Sequence, residues 1–148
     1  MSTILFVGQA PGRDKLYPFI GKSGYALARL LGIEYANLFD QHRLINLVDV
    51  WQGKSGKGDR FDPSGIDCAA KVAHHAEGVH GIVLCGGTVA KACGVTTPFL
   101  DQFMLHGKPA LVLPHPSGVN RWWNDARNKK SAQRRLRRFV SAANKRCS

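Results

Sequence analysis

The sequence lacks several features that identify common classes of protein. No apolar run approaches the length of a membrane span, and the first residues show no signal-peptide pattern, so we expect a cytoplasmic protein. The chain contains no G-x-G-x-x-G fingerprint of dinucleotide-binding folds. Cysteine is sparse, and no two cysteines form a C-x-x-C pair; we therefore expect no disulfide framework and no metal site, the four residues being Cys68, Cys85, Cys93 and Cys147.

Acidic residues are also scarce. The 148 residues include 10 Asp and Glu against 21 Lys and Arg, which gives a formal net charge of +11. A cytoplasmic domain this basic usually binds a polyanion, and nucleic acid is the commonest one. The excess is greatest in residues 127–148, which hold nine Lys or Arg and no acid. This segment is expected to bind a nucleic-acid backbone, although a solvated basic helix face would have the same composition.

Alternating apolar and amphipathic segments predict one α/β domain over residues 1–148. Short runs that are apolar on both faces are typical of strands buried between helix layers, and they lie at 3–7, 43–50, 80–85 and 109–113. Helical periodicity lies between and after them, at 22–32, 63–77, 87–93 and 131–145, with Pro63 and Ser131 as expected helix starts. Strands that alternate with helices indicate a parallel sheet with helices on both sides.

The loop after the first strand has the composition of a ligand-binding loop. Residues 6–24 read FVGQAPGRDKLYPFIGKSG, so the strand runs directly into Gly8-Gln9-Ala10-Pro11-Gly12. Open α/β folds bind ligands at the carboxyl ends of their strands, and glycines allow the backbone to come close to a ligand. The five residues 8–12 contain neither an acid nor a nucleophile.

A second informative stretch is LVLPHPSGVNRWWND, residues 111–125. His115 stands between two prolines, which fix its backbone, and such a preorganised imidazole can stabilise a developing negative charge. A packed turn histidine is the alternative. Val119, followed by an amide, a cation and two tryptophans, is suited to nucleic acid as an apolar wedge beside stacking rings. The tryptophans are equally compatible with core anchors for the last helix.

Four short motifs, in this order and at compatible spacing, resemble those of the uracil-DNA glycosylase superfamily. The similarity is greatest to its family 4 type and runs almost end to end. Residues 8–12 resemble that family's G-E-A-P-G loop, residues 18–24 its P-F-V-G-x-A-G segment and residues 45–48 its T-N-V-V strand end. Residues 115–117 match the H-P-S motif that opens the DNA-penetrating loop.

The resemblance implies a three-layer α/β/α sandwich with a central four-stranded parallel sheet, and catalysis on a base flipped out of the DNA stack. Phe19 would stack on the flipped base and Asn46 would read its edge, while backbone groups of the Gly8, Gln9 and Ala10 loop would bind the base and hold water. His115 would stabilise the departing base.

The DNA contacts implied by the resemblance lie in the loop after His115. Ser117 would hold a backbone phosphate, and Val119 with Arg121 would fill the space that the base leaves. Gly118 and Asn120 belong to the same predicted DNA-binding loop.

The chain departs from the family at three points. Gln9 stands where family 4 has Glu, and Ala10 where better-known members have Asp, so a neutral amide would position the water, or Asp14 or Asp49 would supply the acid. Gly12 stands where those members carry a Tyr that excludes the methyl group of thymine. Only Cys68 falls near a cluster-ligand position, so we expect no iron–sulfur cluster.

These features predict a monofunctional DNA glycosylase, without cofactor or metal, that removes uracil or a related altered pyrimidine from single- or double-stranded DNA. Its activity would be weak if no other group replaces the missing loop acid. A monomer that binds no membrane is expected. The alternatives are a glycosylase-fold DNA-binding protein with little or no catalysis and, more distantly, a nucleotide-binding module.

Overall fold

A computed structural model describes residues 4–56, 58–116 and 121–147 of the chain. The strands are β1 Ile4–Gly8, β2 Arg43–Asn46, β3 Lys54–Ser55, β4 Gly58–Asp59, β5 Gly81–Cys85, β6 Phe103–Leu105 and β7 Lys108–Leu113. The helices are α1 Lys22–Leu31, α2 Tyr35–Gln41, α3 Cys68–His75, α4 Gly87–Ala92 and α5 Ala126–Cys147, with a 3₁₀ helix at Arg121–Asn124. No described helix combines the length and the hydropathy that crossing a membrane requires.

The central sheet has the strand order β2-β1-β5-β7-β6. Its first four members are parallel and correspond to the four predicted strands. The expected count of four is wrong, because β6 pairs antiparallel with β7 at one edge. His106 and Gly107 join the two strands with φ of 51° and 77°, which is the left-handed pair that a two-residue hairpin turn requires. Strand β6 has only three residues, all of them at least partly exposed, and so short a segment shows no hydrophobic pattern that would predict a strand.

Both faces of the sheet are covered by helices. In β1, Ile4 and Phe6 pack in one core cluster with residues of α1, α2 and α5. Leu5 and Val7 pack in the other, with residues of α3 and α4. Because successive side chains of a strand point to opposite faces, a strand covered on both sides must be apolar throughout, and β1 and β5 are buried at every position.

The helices differ from prediction mainly at their starts. The one at 63–77 begins five residues later, at Cys68, where the Asp67 side chain accepts a hydrogen bond from the Ala70 N–H at 3.0 Å. The last helix begins earlier than expected, at Ala126, so that Ser131 is an interior residue and not a cap. The helices predicted at 22–32 and 87–93 are confirmed as α1 and α4, whereas α2 was not predicted.

The four parallel strands end at one edge of the sheet, which we call the carboxyl edge; the opposite one is the amino edge. Gly8 is the register partner of Asn46, and Cys85 is the partner of Leu113. The loops that follow these residues are therefore neighbours. They include the two stretches that the sequence indicates as ligand-binding.

Candidate active site

Three residues of the predicted base pocket meet at the carboxyl edge. A Cβ at position 8 would lie 2.7 Å from Asn46 Oδ1 and 3.3 Å from ring carbons of Phe19. The first distance is shorter than a real side chain would tolerate, so only glycine lets the amide and the ring approach the end of β1 this closely. The sequence motifs around these residues are 11 to 38 positions apart, and the parallel pairing of β1 with β2 unites them.

Asn46 is the polar group best placed to receive a ligand. Its side chain is only 6% exposed. Within the described chain its amide has no hydrogen-bond partner. Its amide nitrogen and oxygen are not among the fully buried polar atoms without a partner, so a ligand can pair with both the donor and the acceptor of this amide.

Phe19 is held beneath the same space by a strained backbone. Its φ is 61°, in the left-handed region that a bulky residue rarely adopts. Gly24, in the first turn of α1, permits this conformation, because a Cβ there would collide with the Phe19 carbonyl oxygen. The ring is 7% exposed and belongs to the core cluster on the α1 side. Strain of this kind is often stored where a side chain must take one position.

His115 lies two residues beyond β7, half-buried against the end of β5. A Cβ at Gly86 would stand 3.4 Å from His115 Cβ, and the Gly86 N–H donates to the Leu113 carbonyl at 2.7 Å. The indole N–H of Trp123 donates to the His115 carbonyl oxygen at 2.8 Å. Burial lowers the pKa of His115 below its usual range, which favours the neutral imidazole, a form that carries one N–H.

The four parallel strands each carry one element of the site. Asn46 ends β2 and Gly8 ends β1, while Gly86 follows β5 and His115 follows β7. With strands spaced about 4.8 Å apart, the backbones of the outer two are separated by about 14 Å. A planar ligand over the two glycines would thus have the amide on one side and the imidazole on the other. The part that Gly86 takes in this site and the hydrogen bond from Trp123 were not predicted. The sequence signal available for Gly86 was a glycine directly after a buried strand.

The loop after β1 is bonded to the end of β2. The carbonyl oxygens of Gly8 and Gln9 accept the N–H groups of Leu47 and Val48 at 3.0 and 2.9 Å. Gln9 and Ala10 are half-buried there. The Gln9 side chain has no hydrogen-bond partner among the residues the structure describes, so its amide is available to a water molecule.

The two candidate acids are placed differently. Asp49 is exposed and forms an ion pair with Lys71 at 2.8 Å, so this carboxylate already has a partner. Asp14 is exposed in a turn with φ of 60° and makes no ion pair or hydrogen bond within the described ranges. No hydrogen bond among the described residues joins Asp14 to Asn46 or His115, and the Asp14 carboxylate is open to solvent.

The predicted DNA-penetrating loop is described only at its end. Ser117, Gly118, Val119 and Asn120 lie outside the described residues. Arg121 is exposed at the start of the 3₁₀ helix.

The two tryptophans that follow pack as core anchors. The rings of Trp122 and Trp123 meet edge to face at 4.8 Å, and both pack against the core cluster on the α1 side. Of the two interpretations that the sequence left open, anchoring of the last helix is the one that these contacts support. Trp123 also reaches the site itself, through its bond to His115.

Cys68 and Cys85 are buried among apolar neighbours, and Cys93 is partly buried. Desolvation raises the pKa of Cys68 and of Cys85, and it raises that of Cys93 to about 11. A protonated thiol is a poor nucleophile and a poor metal ligand. Among the described residues no group of three or more His, Cys, Asp or Glu is arranged to hold a metal ion.

A comparison with protein families gives one match that covers most of the chain. The family model described as Uracil DNA glycosylase superfamily matches residues 1–139, a span that includes the Asn46 pocket, His115 and most of α5. Among curated proteins, a sequence search finds no significant match.

Proposed function

The chain belongs to the uracil DNA glycosylase superfamily, and we propose that it is a monofunctional DNA glycosylase acting on uracil or a related altered pyrimidine. The observation that carries the proposal is the pocket of Gly8, Phe19 and Asn46. Asn46 is 6% exposed, and its amide, which has no partner among the described residues, lies beside an aromatic ring; this suits a flat base that must be recognised by hydrogen bonds.

Base recognition would rest on Asn46. The edge of a pyrimidine such as uracil presents an N–H between two carbonyl groups, and a carboxamide offers the complementary acceptor and donor. Phe19 would stack on the ring. Because Gly8 has no Cβ, the Asn46 amide and the Phe19 ring can both lie against the end of β1, and the base would contact them there.

Hydrolysis would depend on His115. As the bond between the sugar C1′ and the base nitrogen breaks, its electron pair moves into the base, and the neutral imidazole would donate an N–H to the carbonyl oxygen where negative charge collects. A water oxygen then bonds to C1′ and loses a proton. Gln9 would orient that water by its amide, and Asp14 is the nearest acid in sequence that could accept the proton.

An abasic-site assay tests this proposal on oligonucleotides that carry uracil, in single- and double-stranded form. We expect alkali-sensitive product from the native chain and a loss of about 10²–10³-fold in rate for His115→Ala, the range seen when one preorganised donor is removed. The matched control is His74→Ala, because His74 is exposed on α3. An equal rate for His115→Ala and the native chain would rule out the role assigned to this imidazole.

A second candidate function is DNA binding without turnover. It is favoured by the neutral loop, in which Gln9 and Ala10 stand where relatives of the family 4 and better-known types carry acids. No product on any substrate, with salt-sensitive DNA binding retained, would support it. Gln9→Glu is then the decisive variant, since restoring the acid should produce activity in a pocket that is otherwise complete.

Substrate breadth is proposed to follow from Gly12. A Cβ at this position would meet only Lys15 Cγ, at 3.5 Å, so packing does not exclude a larger residue. The pocket entrance would therefore admit pyrimidines that are substituted at C5, such as hydroxymethyluracil. We expect Gly12→Tyr to reduce excision of the C5-substituted base more than that of uracil, and a uniform reduction would argue against a gate here.

A further inference from the structure

A groove beside the candidate site has the composition of a nucleic-acid surface. Its volume is about 380 Å³, and it lies between α1 on one side and Pro116, Trp123 and Lys129 on the other. Its lining includes three cations and two aromatic residues and no acid: Lys22, Arg29, Lys129, Tyr25 and Trp123. Cations with interleaved rings are the combination by which proteins bind single-stranded nucleic acid.

Tyr25 forms a rigid aromatic platform in this groove. The residue is 53% exposed, although it is large and apolar enough to be buried. One face of its ring stacks on Tyr35, with centroids 3.9 Å apart and planes 12° from parallel. The Tyr35 hydroxyl in turn accepts the Gly21 N–H at 3.1 Å, and its ring packs edge to face with Phe39. Because Tyr35 already restricts the Tyr25 ring, a base that stacks on the outer face of Tyr25 would cost little further side-chain entropy of this residue.

The cationic side chains of the groove have no bonding partner among the described residues. Lys22, Tyr25 and Arg29 are spaced three and four residues apart, so they share one face of α1. Lys129 faces them from α5. In the described part of the chain none of the three cations forms an ion pair, whereas Arg127, Arg135 and Lys71 each lie within 4.0 Å of a carboxylate oxygen.

The groove adjoins the catalytic histidine. Pro116, the residue after His115, lines it, and so does Trp123, whose indole N–H is bonded to the His115 carbonyl oxygen. Phe19 lies three residues before the start of α1 and packs in the cluster on the α1 side. A strand that places one base over Gly8 would therefore pass directly into this groove.

We infer that the groove binds a second, unstacked nucleotide of the DNA strand that carries the target base. Its base would stack on Tyr25, and its flanking phosphates would lie against Lys22, Arg29 and Lys129. The inference rests on the proposed function, because it assigns the groove to the same substrate strand. It deepens that function by predicting a preference for single-stranded DNA, since a duplex would have to unstack two neighbouring bases.

The test measures affinity without catalysis. Fluorescence anisotropy of the full chain with labelled single-stranded oligodeoxyadenylate, which contains no pyrimidine, reports binding in the groove without excision. We expect Tyr25→Ala to weaken binding roughly tenfold, the usual consequence of removing one stacking ring, and Tyr25→Phe to retain native affinity. Tyr17→Ala is the matched control, because Tyr17 is 67% exposed and outside the groove.

A charge series supports or overturns the same inference. Removing Lys22, Arg29 and Lys129 together should reduce the slope of log affinity against log salt by about 2, at about 0.7 per phosphate contact on a single strand. The control removes Lys91, Arg138 and Lys145, which are exposed outside the groove. Equal slope changes in the two triple variants, or native affinity in Tyr25→Ala, would show that the groove does not bind the DNA strand.

The two proposals fail in different ways. A chain that excises uracil but binds oligodeoxyadenylate independently of Tyr25 has the catalytic site without the groove. A chain that excises nothing, yet loses single-strand affinity with Tyr25→Ala and regains it with Tyr25→Phe, has the groove without glycosylase activity. Urea unfolding of each variant shows whether a loss of affinity is a loss of folded protein.

Discussion

Lysine and arginine side chains are bonded differently at the amino edge of the sheet and along the groove. At the amino edge, Arg43, Lys108 and Arg146 donate to backbone carbonyls of the segment 75–80, at distances of 2.6 to 3.0 Å. These bonds satisfy carbonyls at the end of α3 and in the turn before β5, which no helix or strand partner reaches. Charge here stabilises the fold.

Along the groove the same residue types have no such partners. Lys22, Arg29 and Lys129 form no ion pair within the described ranges, and the buried amide of Asn46 is likewise unpaired. Two populations of cations in the described part of the chain therefore differ in their bonding. One population supports the structure at the amino edge, and the other would bind the proposed ligand at the carboxyl edge.

The largest expected effect is that of Asn46, whose substitution should change catalysis, whereas substitutions at the amino edge should change stability. We expect Asn46→Ala to lower the excision rate about 100-fold, because the base would lose hydrogen bonds that the pocket cannot replace. The free energy of unfolding should change by less than about 1 kcal/mol, since no partner inside the described chain loses a bond. Steady-state kinetics and urea unfolding measure the two quantities. A large loss of stability would assign Asn46 to the fold and not to the site.

His42 gives the amino edge a dependence on pH. It is 6% exposed, its Nδ1 has no partner among the described residues, and burial lowers its pKa to about 4. Because the unfolded chain titrates near 6.5, it binds the extra proton first, so stability is full above that pH and falls as the pH drops toward 4.

The expected loss from His42 is about 3 kcal/mol between pH 6.5 and pH 4. We expect His42→Phe to reduce this loss, because a phenyl ring in contact with Phe6 takes up no proton. Urea unfolding across this pH range measures the effect, with His74→Gln as the exposed control. An unchanged pH profile in His42→Phe would show that other groups cause the acid sensitivity.

Arg43 represents the structural population of cations. Its guanidinium donates to the carbonyls of His75 and Glu77, so Arg43→Ala would leave two carbonyls without these bonds. We expect a loss of about 2 kcal/mol in the free energy of unfolding, because bonds from charged donors are the stronger class but these are partly exposed. Excision per folded molecule should be unchanged. If Arg43→Ala were fully folded and still had a lower catalytic rate, the distinction between a structural amino edge and a functional carboxyl edge would be wrong.

The smallest expected effect concerns α5, whose 22 residues span about 33 Å from the carboxyl to the amino edge. We expect removal of Arg127 and Lys130, in its first turns, to flatten the salt dependence of DNA binding by up to about 0.9 per phosphate contact. Removal of Arg138 and Lys145, in its second half, should leave the slope unchanged. An equal effect of the two pairs would mean that the whole helix lies along the DNA.

The basic residues of α5 show which contacts could not be predicted from the sequence. Residues 127–146 predict one DNA-binding surface, but Arg137 donates to the Leu30 and Arg29 carbonyls at 2.8 and 3.3 Å, and Arg135 pairs with Asp101 at 3.8 Å. These contacts join residues up to 108 positions apart. No local pattern indicates them, because a cation on a helix surface has the same sequence signal whether a carbonyl or a phosphate is opposite.

The sequence by itself determined the four parallel strands and the loops that carry Gly8, Asn46 and His115. Strands buried on both faces must be apolar at every position, and glycine and proline mark the strand ends directly. Only the tertiary structure decided that Asn46 and Phe19 meet over Gly8, that Trp123 is bonded to His115, and which cations remain unpaired. Periodicity reports burial one residue at a time, whereas these contacts depend on the order in which the strands pair and on the helices packed against them.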